Sequence, residues 1–141
     1  MAEGSRLTGE CMCGAVKFVA TAKEPAVAAC HCEMCRRWSS GPYMEVTCQE
    51  ATFKGEEHIS TIRSSDWAER AFCAKCGSNL FYHIVGSADY QISAGLIDDQ
   101  SKLRMSLQVF TDSKPPFYDF ANETKTMTGA EVFAAYAPPS E

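Results

Sequence analysis

The chain has 141 residues, and 45% of them are hydrophobic, which is enough apolar material to build the core of one domain. Acidic residues outnumber basic residues by 18 to 13, and the net charge of −5 argues against a protein that binds nucleic acid through its phosphates. No apolar run reaches the length of a membrane span, and the first residues lack the pattern of a signal peptide. We therefore expect a soluble cytoplasmic protein that binds no membrane and forms a single domain over residues 1–141.

Short alternating runs of apolar residues, broken by turn-forming residues, predict an all-β fold with few short helices. In the first run, Val16, Phe18 and Ala20 share one face, as expected of a strand with one buried side. The predicted strands are residues 15–21, 26–31, 43–48, 58–64, 79–84, 90–96 and 103–110. One helix is predicted at residues 129–136, where Thr128 and Glu131 have the spacing of a capping box.

Eight cysteines are the most unusual feature of the composition. Without a signal peptide they are expected to stay reduced, so metal binding explains them better than disulfides do. Seven of the eight lie in three tight groups, at residues 11–13, 30–35 and 73–76. Cys48 stands alone and is expected to be a small buried side chain.

The spacing within each group favours chelation of one metal ion. In an extended C-x-C segment the two side chains share a face and lie about 6.5–7 Å apart at the backbone. A C-x-x-C segment followed by glycine is a metal-binding knuckle, and Cys73 and Cys76 followed by Gly77 fit that pattern. The middle group offers three thiolates, and three protein ligands are typical of catalytic zinc sites that keep one position open.

Two groupings of the seven clustered cysteines are compatible with their spacing. The first resembles a zinc ribbon and joins Cys32 and Cys35 to the knuckle near residue 73, which leaves the other three as a second cluster. The second grouping closes a four-cysteine site from the first and last groups and leaves the middle group as an open three-cysteine site. Spacing alone slightly favours the first grouping.

Three motifs become informative when they are taken together: GECMCGAV at residues 9–16, CHCEMCRR at 30–37 and RAFCAKCGSNL at 70–80. In this order they resemble the motifs of the glutathione-dependent formaldehyde-activating enzyme family, which includes centromere protein V, and the similarity covers about residues 7–120. The resemblance implies a β-tent type of fold and favours the second grouping of cysteines. It implies two zinc ions, a structural one on Cys11, Cys13, Cys73 and Cys76 and a catalytic one on Cys30, Cys32 and Cys35.

The same resemblance implies a carbon–sulfur lyase of the S-(hydroxymethyl)glutathione synthase kind. A zinc-bound thiolate of a glutathione-like thiol would add to formaldehyde or a related small aldehyde, with Cys30, Cys32 and Cys35 as the catalytic residues. Arg36 and Arg37 directly follow the last of these cysteines, so we predict that they bind substrate carboxylates or offset the negative charge of the site. The alternative, that both are solvated surface charges, stays open.

Two other functions are compatible with these residues, namely a non-catalytic zinc-binding interaction module and a thiol redox sensor. Residues 110–117 resemble a late loop of the family, but Pro115 and Phe117 depart from its usual residues, so the thiol is not identified. His31, between two ligands, is expected to be packed or hydrogen-bonded rather than catalytic. The aromatic residues that can line a pocket are expected by default to fill the core; they are Trp38, Tyr43, Trp67, Phe117 and Tyr118.

Overall fold

A computed structural model of the chain describes residues 5–136, and this part of the chain is mostly β-structure. The strands are β1 (Ser5–Glu10), β2 (Lys17–Ala22), β3 (Ala26–Cys30), β4 (Tyr43–Lys54), β5 (Ile59–Arg63), β6 (Ala68–Cys73), β7 (Asn79–Ile84), β8 (Asp89–Ser93), β9 (Arg104–Val109) and β10 (Lys125–Met127). The α-helices are α1 (Glu33–Ser39) and α2 (Gly129–Tyr136). The prediction of a β fold with few short helices is therefore confirmed.

The described chain divides into two compact units. The first unit contains residues 5–26 and 45–103, and its strands run β4, β8, β7, β6, β5 in antiparallel order, with β2 pairing both β4 and β1. The second unit contains residues 27–44 and 104–136, and in it β9 lies between β3 and β10, with β10 parallel to β9. Nothing in this arrangement tests the prediction of a single domain over residues 1–141, which stays a prediction.

Alternation along the strands places the core of the first unit as the sequence predicts. Val16, Phe18 and Ala20 are all buried, while Lys17 is exposed, so the predicted inner face is confirmed. Phe18 faces Phe53 across the β2–β4 pair. Strands β4, β7 and β8 add further fully buried side chains, which are Val46, Cys48, Leu80 and Ile92.

Four elements of the structure have no counterpart among the predicted ones: β1, β6, β10 and α1. Strand β1 is mostly polar and exposed, and among the described strands it pairs with β2 alone, so its sequence lacks an apolar pattern. Strand β6 carries a buried charge that interrupts its apolar pattern. That charge is the guanidinium of Arg70, which lies 4.9 Å from the ring centroid of its cross-strand neighbour Tyr82. Helix α1 has only seven residues, too few to show a helical repeat.

Several predicted strands have wrong ends, and the largest error is at the predicted strand 43–48, which as β4 continues to Lys54. Residues 56–58 and 94–96 form single 3-10 turns, so the predicted strands at 58–64 and 90–96 are shorter in the structure.

Helix α2 is confirmed with its capping box. Glu131 N–H donates to Thr128 Oγ1 at 3.2 Å, and Thr128 N–H donates to Glu131 Oε1 at 2.8 Å. Among residues 5–136, every helix is too short or too polar to span a bilayer.

Candidate metal centres

The first candidate centre is a four-cysteine cluster in the first unit, built from two turns of different length that both end in glycine. Each turn ends in a glycine with a positive φ, Gly14 at 83° and Gly77 at 82°, where a side chain would be strained. In the first turn Gly14 N–H donates to Cys11 C=O at 3.0 Å, and in the second Gly77 N–H donates to Cys73 C=O at 2.7 Å. The predicted knuckle at residues 73–76 is therefore present, and the C-x-C segment forms a second one.

The sulfur atoms of this cluster have the spacing that a tetrahedral zinc requires. Zinc–sulfur bonds of about 2.3 Å give a tetrahedron with edges of about 3.8 Å. Cys13 Sγ lies 3.7 Å from Cys11 Sγ and 3.9 Å from Cys73 Sγ, and the four sulfur atoms, with that of Cys76, all lie within 4.8 Å of one another. These distances are too long for disulfides, and the four residues fit a closed zinc site.

Ser78 connects the two turns of this cluster. Its hydroxyl accepts a hydrogen bond from Met12 N–H at 2.9 Å and lies 3.2 Å from Cys76 Sγ, to which it can donate its proton. This hydroxyl is the main reason that the pKa of Cys76 is lowered to about 5. Val16 N–H likewise lies 3.3 Å from Cys11 Sγ. Such donors stabilise thiolates and orient them towards a cation.

The second candidate centre is a three-cysteine cluster in the second unit, formed at the junction between a strand and a helix. Cys30 ends β3, Cys32 is the N-cap of α1, and Cys35 lies in the first turn of the helix. Cys35 N–H donates to Cys32 Sγ at 3.3 Å, so a cysteine takes the capping role that serine or aspartate usually has. The three sulfur atoms lie within 4.8 Å of one another.

The electrostatics of the three-cysteine cluster favour a bound cation. The neighbouring thiols of Cys32 and Cys35, followed by burial, raise the pKa of Cys30 far above its ordinary range. Three sulfur atoms this close therefore cannot all be ionised unless a positive charge compensates them. A divalent metal ion supplies that charge and lowers the pKa of thiol ligands, so the donor set fits zinc.

The structure separates the two groupings of cysteines that spacing alone leaves open. The zinc-ribbon grouping is wrong, because Cys30, Cys32 and Cys35 cluster together while the first and last groups form the four-cysteine cluster. The physical reason is that β6 ends at Cys73, beside the first knuckle, where its turn is joined to Met12 through Ser78. Spacing along the chain contains no information on this pairing of distant turns.

The two arginines after the three-cysteine cluster differ in their surroundings. Arg36 folds back on the ligand segment, and its Nε donates to the His31 carbonyl oxygen at 3.2 Å. Arg37 points to solvent with 78% of its side chain exposed and pairs with Glu33 across one helical turn at 3.1 Å. Of the two predicted substrate-binding residues, Arg36 therefore contacts the backbone between Cys30 and Cys32, whereas Arg37 contacts only an exposed side chain on the helix.

His31 is packed and hydrogen-bonded, as predicted. It is fully buried, and both ring nitrogens have partners, Tyr118 Oη at 2.6 Å and Gln108 Oε1 at 2.9 Å. Burial lowers its pKa. Sequence reasoning missed Gln108 and assigned Tyr118 to the core by default, because the contact between Tyr118 and His31 spans 87 residues.

The predictions for the remaining cysteine and for the aromatic residues are confirmed only in part. Cys48 is fully buried, as predicted, and burial raises the pKa of its thiol to about 12. Trp38 and Tyr43 pack with ring centroids 5.0 Å apart. Trp67 and Phe117 do not fill the core, since they are 38% and 77% exposed. Phe117 lies on a turn after two prolines, where the chain has no strand on which to face inwards.

Comparisons with known proteins agree with this geometry. The model of the family described as glutathione-dependent formaldehyde-activating enzyme matches residues 6–113. A protein of Schizosaccharomyces pombe named as an uncharacterized lyase is 39% identical over 126 residues, which are 88% of this chain and 92% of that protein. The crystal structure of a Rhodobacter sphaeroides protein superposes with a TM-score of 0.57 at 19% identity, covering 70% of this chain and 99% of that one, and shows a similar fold.

Proposed function

Since the chain belongs to the glutathione-dependent formaldehyde-activating enzyme family, we propose that it is a carbon–sulfur lyase that adds a glutathione-like thiol to formaldehyde or a related small aldehyde. The observation that carries this proposal is the difference in ligand number between the two cysteine clusters. A four-cysteine set is complete for zinc, whereas a three-cysteine set leaves one position for a substrate atom. The name of the yeast relative, a lyase, supports the same class of reaction.

In this proposal two zinc ions have different roles. Cys11, Cys13, Cys73 and Cys76 hold a structural ion, and Cys30, Cys32 and Cys35 hold the catalytic one. The catalytic zinc, when bound, lowers the pKa of a thiol at its open position, so that the nucleophilic thiolate is available at neutral pH. The three cysteines also fix the place where that sulfur binds, which adds an orientation effect to the reaction with a small aldehyde.

Charge compensation is the second task of the proposed site. Three thiolates exceed the charge of one divalent cation, and a fourth thiolate from the substrate increases the excess. Arg36, held against the ligand segment by its bond to the His31 carbonyl, is positioned to reduce this negative charge and to bind a substrate carboxylate. Arg37 is proposed to contribute through its exposed guanidinium, because a surface ion pair such as that with Glu33 is weak and exchanges readily.

We place the reaction in the cytoplasm. All eight cysteines are free thiols, and seven of them belong to the two clusters. Reducing compartments keep cysteines available as metal ligands, whereas oxidising ones convert neighbouring pairs to disulfides. Both proposed substrates are small molecules, so the proposal needs neither a membrane nor a protein partner.

The test combines zinc content with the rate of thiol addition. Protein purified without chelator is expected to contain two zinc ions and to accelerate the exchange between glutathione and S-(hydroxymethyl)glutathione, followed by NMR in the presence of formaldehyde. Cys32→Ser is expected to lose one zinc and the acceleration. Cys48→Ala, which changes a buried cysteine outside both clusters, is the matched control and is expected to keep both.

Other outcomes favour a different function. Two zinc ions without acceleration for any small aldehyde or thiol would leave a non-catalytic zinc module. Release of one zinc on mild peroxide treatment, with a disulfide among the three clustered cysteines, would favour a redox sensor.

A further inference from the structure

A chain of four hydrogen-bonded side chains lies beside the three-cysteine cluster. It runs from Tyr118 Oη to His31 Nδ1 at 2.6 Å and from His31 Nε2 to Gln108 Oε1 at 2.9 Å. It ends where Gln108 Nε2 donates to Thr124 Oγ1 at 3.0 Å. All four residues belong to the second unit, and none of them is a predicted metal ligand.

The chemistry of these groups gives the chain one direction. Gln108 presents its NH₂ group to Thr124, so its carbonyl oxygen faces His31 and can only accept. His31 Nε2 must then carry the proton, which leaves the lone pair of Nδ1 to accept from the Tyr118 hydroxyl. The Tyr118 side chain is a phenol, so its hydroxyl has a proton to donate at neutral pH. Every member has a partner in this arrangement.

His31 connects this hydrogen-bond chain to two of the cysteines. It is the residue between Cys30 and Cys32, and its backbone is also held at both polar atoms. His31 N–H donates to Val109 C=O at 3.1 Å, and its carbonyl oxygen accepts from Arg36 Nε at 3.2 Å. The peptide that joins the two ligands is therefore fixed by hydrogen bonds on its backbone and on its side chain.

Tyr118, at the other end, belongs to a segment that is held together by a lysine. Lys114 Nζ donates to the carbonyl oxygens of Pro115 and Tyr118 and pairs with the Asp119 carboxylate at 2.7 Å. The same ammonium lies 5.1 Å from the Tyr118 ring centroid. These contacts connect Lys114 to the end of residues 114–119, while Phe117 between them is exposed.

We propose that Tyr118, His31 and Gln108 are positioning residues of the three-cysteine cluster. They hold Cys30 and Cys32 at the separation that a shared metal ion needs, and they attach residues 114–119 to the ligand segment as part of the thiol-binding surface. The statement about the thiol rests on the proposed function, whereas the statement about the cysteines does not.

The direction of the chain is tested by NMR on the zinc-loaded full-length protein with ¹⁵N-labelled histidine. The long-range ¹H–¹⁵N pattern of His31 is expected to show the neutral tautomer with its proton on Nε2. Thr124→Val removes the group that orients the Gln108 amide and is expected to weaken this pattern, while Thr124→Ser keeps the hydroxyl and restores it. A proton on Nδ1 in the unaltered protein would overturn the proposal.

The effect on the cysteines is tested with Tyr118→Phe, which removes only the hydroxyl. Tyr90→Phe, in the first unit, is the matched control. Loss of such an outer contact typically weakens metal binding or activity about 10- to 100-fold. We expect cobalt(II) titration to show a weakening of about 10-fold at the three-cysteine cluster of Tyr118→Phe and none in Tyr90→Phe.

The effect on the substrate is measured separately. Tyr118→Phe is expected to raise the KM for the thiol more than it lowers kcat. Equal cobalt affinity and equal KM in Tyr118→Phe and Tyr90→Phe would refute the positioning role. If the unaltered protein had no activity with thiols and aldehydes, the proposed function would fail, while the cobalt and NMR results would still decide the role of the chain.

Discussion

The two cysteine clusters differ in how far apart their ligands lie along the chain. The four-cysteine cluster joins turns that are 60 residues apart, whereas the three-cysteine cluster is built within six consecutive residues. A metal ion in the first cluster closes a long loop of the chain, and its binding energy therefore becomes part of the folding energy. A metal ion in the second closes only a local turn. In the proposed division of roles, the same ligand type serves stability in the first cluster and chemistry in the second.

The hydrogen bonds around the cysteine ligands also differ between the two clusters. Backbone N–H groups and one small hydroxyl, that of Ser78, support the four-cysteine cluster. The three-cysteine cluster has one such backbone contact, from Cys35 N–H to Cys32 Sγ, and in addition a set of polar side chains, those of His31, Gln108 and Tyr118, on the residue between two of its ligands. Backbone contacts make a rigid closed site. Side-chain contacts from a distant loop allow the geometry of an open site to depend on that loop.

The difference between the two clusters is tested most directly by removing one ligand from each of them. Cys76→Ser is expected to unfold the protein, because a structural zinc contributes about 10 kcal/mol or more to a small domain. Cys32→Ser is expected to stay folded, since serine also caps helices. Circular dichroism with thermal melting measures the folded fraction and the stability of both variants. Equal loss of structure in the two variants would contradict the division into a structural and an open cluster.

A smaller effect is expected at the hydroxyl that joins the two knuckles. Ser78→Ala removes the donor to Cys76 and the acceptor of Met12 N–H, so zinc should bind to the four-cysteine cluster about 10-fold more weakly. Competition with a chromophoric chelator measures the affinity. Ser106→Ala, at an exposed position of β9, is the matched control and should leave the affinity unchanged. No difference between the variants would mean that backbone contacts alone hold this cluster.

The two arginines provide a test of the open cluster. Arg36→Ala is expected to raise the KM for the thiol about 10-fold, because its guanidinium is fixed next to the ligand segment. Arg37→Ala is expected to change KM less than about threefold, as its exposed pair with Glu33 is weak. Steady-state kinetics over a range of thiol concentrations measures both. A larger increase in KM for Arg37→Ala than for Arg36→Ala would assign carboxylate binding to the exposed face of α1 instead.

The smallest effect is expected from Phe117→Ala. The side chain is 77% exposed, so its removal should leave the melting temperature unchanged. If residues 114–119 contact the thiol substrate, the KM for the thiol should rise about two- to fivefold, which corresponds to about 0.5–1 kcal/mol of lost apolar contact. An unchanged KM would restrict this segment to its contact with His31.

The sequence predicts the local parts of both sites better than the fold around them. A glycine after a C-x-x-C pair predicts the knuckle at Gly77, because only glycine adopts the positive φ of that corner without strain. The three-cysteine cluster is equally local. Helix α1 was missed because its N-cap is a cysteine and its seven residues show no repeat. Ligand number and local turn geometry are properties of short segments, so they can be inferred from a single sequence.

The pairing of segments that are distant in sequence could not be inferred from such local patterns. The choice between the two groupings depends on how β6 brings Cys73 to the turn after β1, and no residue near either group encodes that register. The contact between Tyr118 and His31 has the same origin, since it depends on a loop 87 residues away. Buried hydrogen-bond partners of this kind appear only when the tertiary structure is known.

The exposure of Cys13 and of its neighbour Met12 has a consequence for chemical labelling. Cys13 is exposed, whereas Cys30 and Cys35 are buried, so an alkylating reagent meets the four-cysteine cluster first. Reactivity towards such reagents is commonly used to find catalytic cysteines. If the four-cysteine cluster holds the proposed structural zinc, the fastest-labelled thiol marks that cluster, and we expect labelling to be followed by unfolding rather than by simple inhibition.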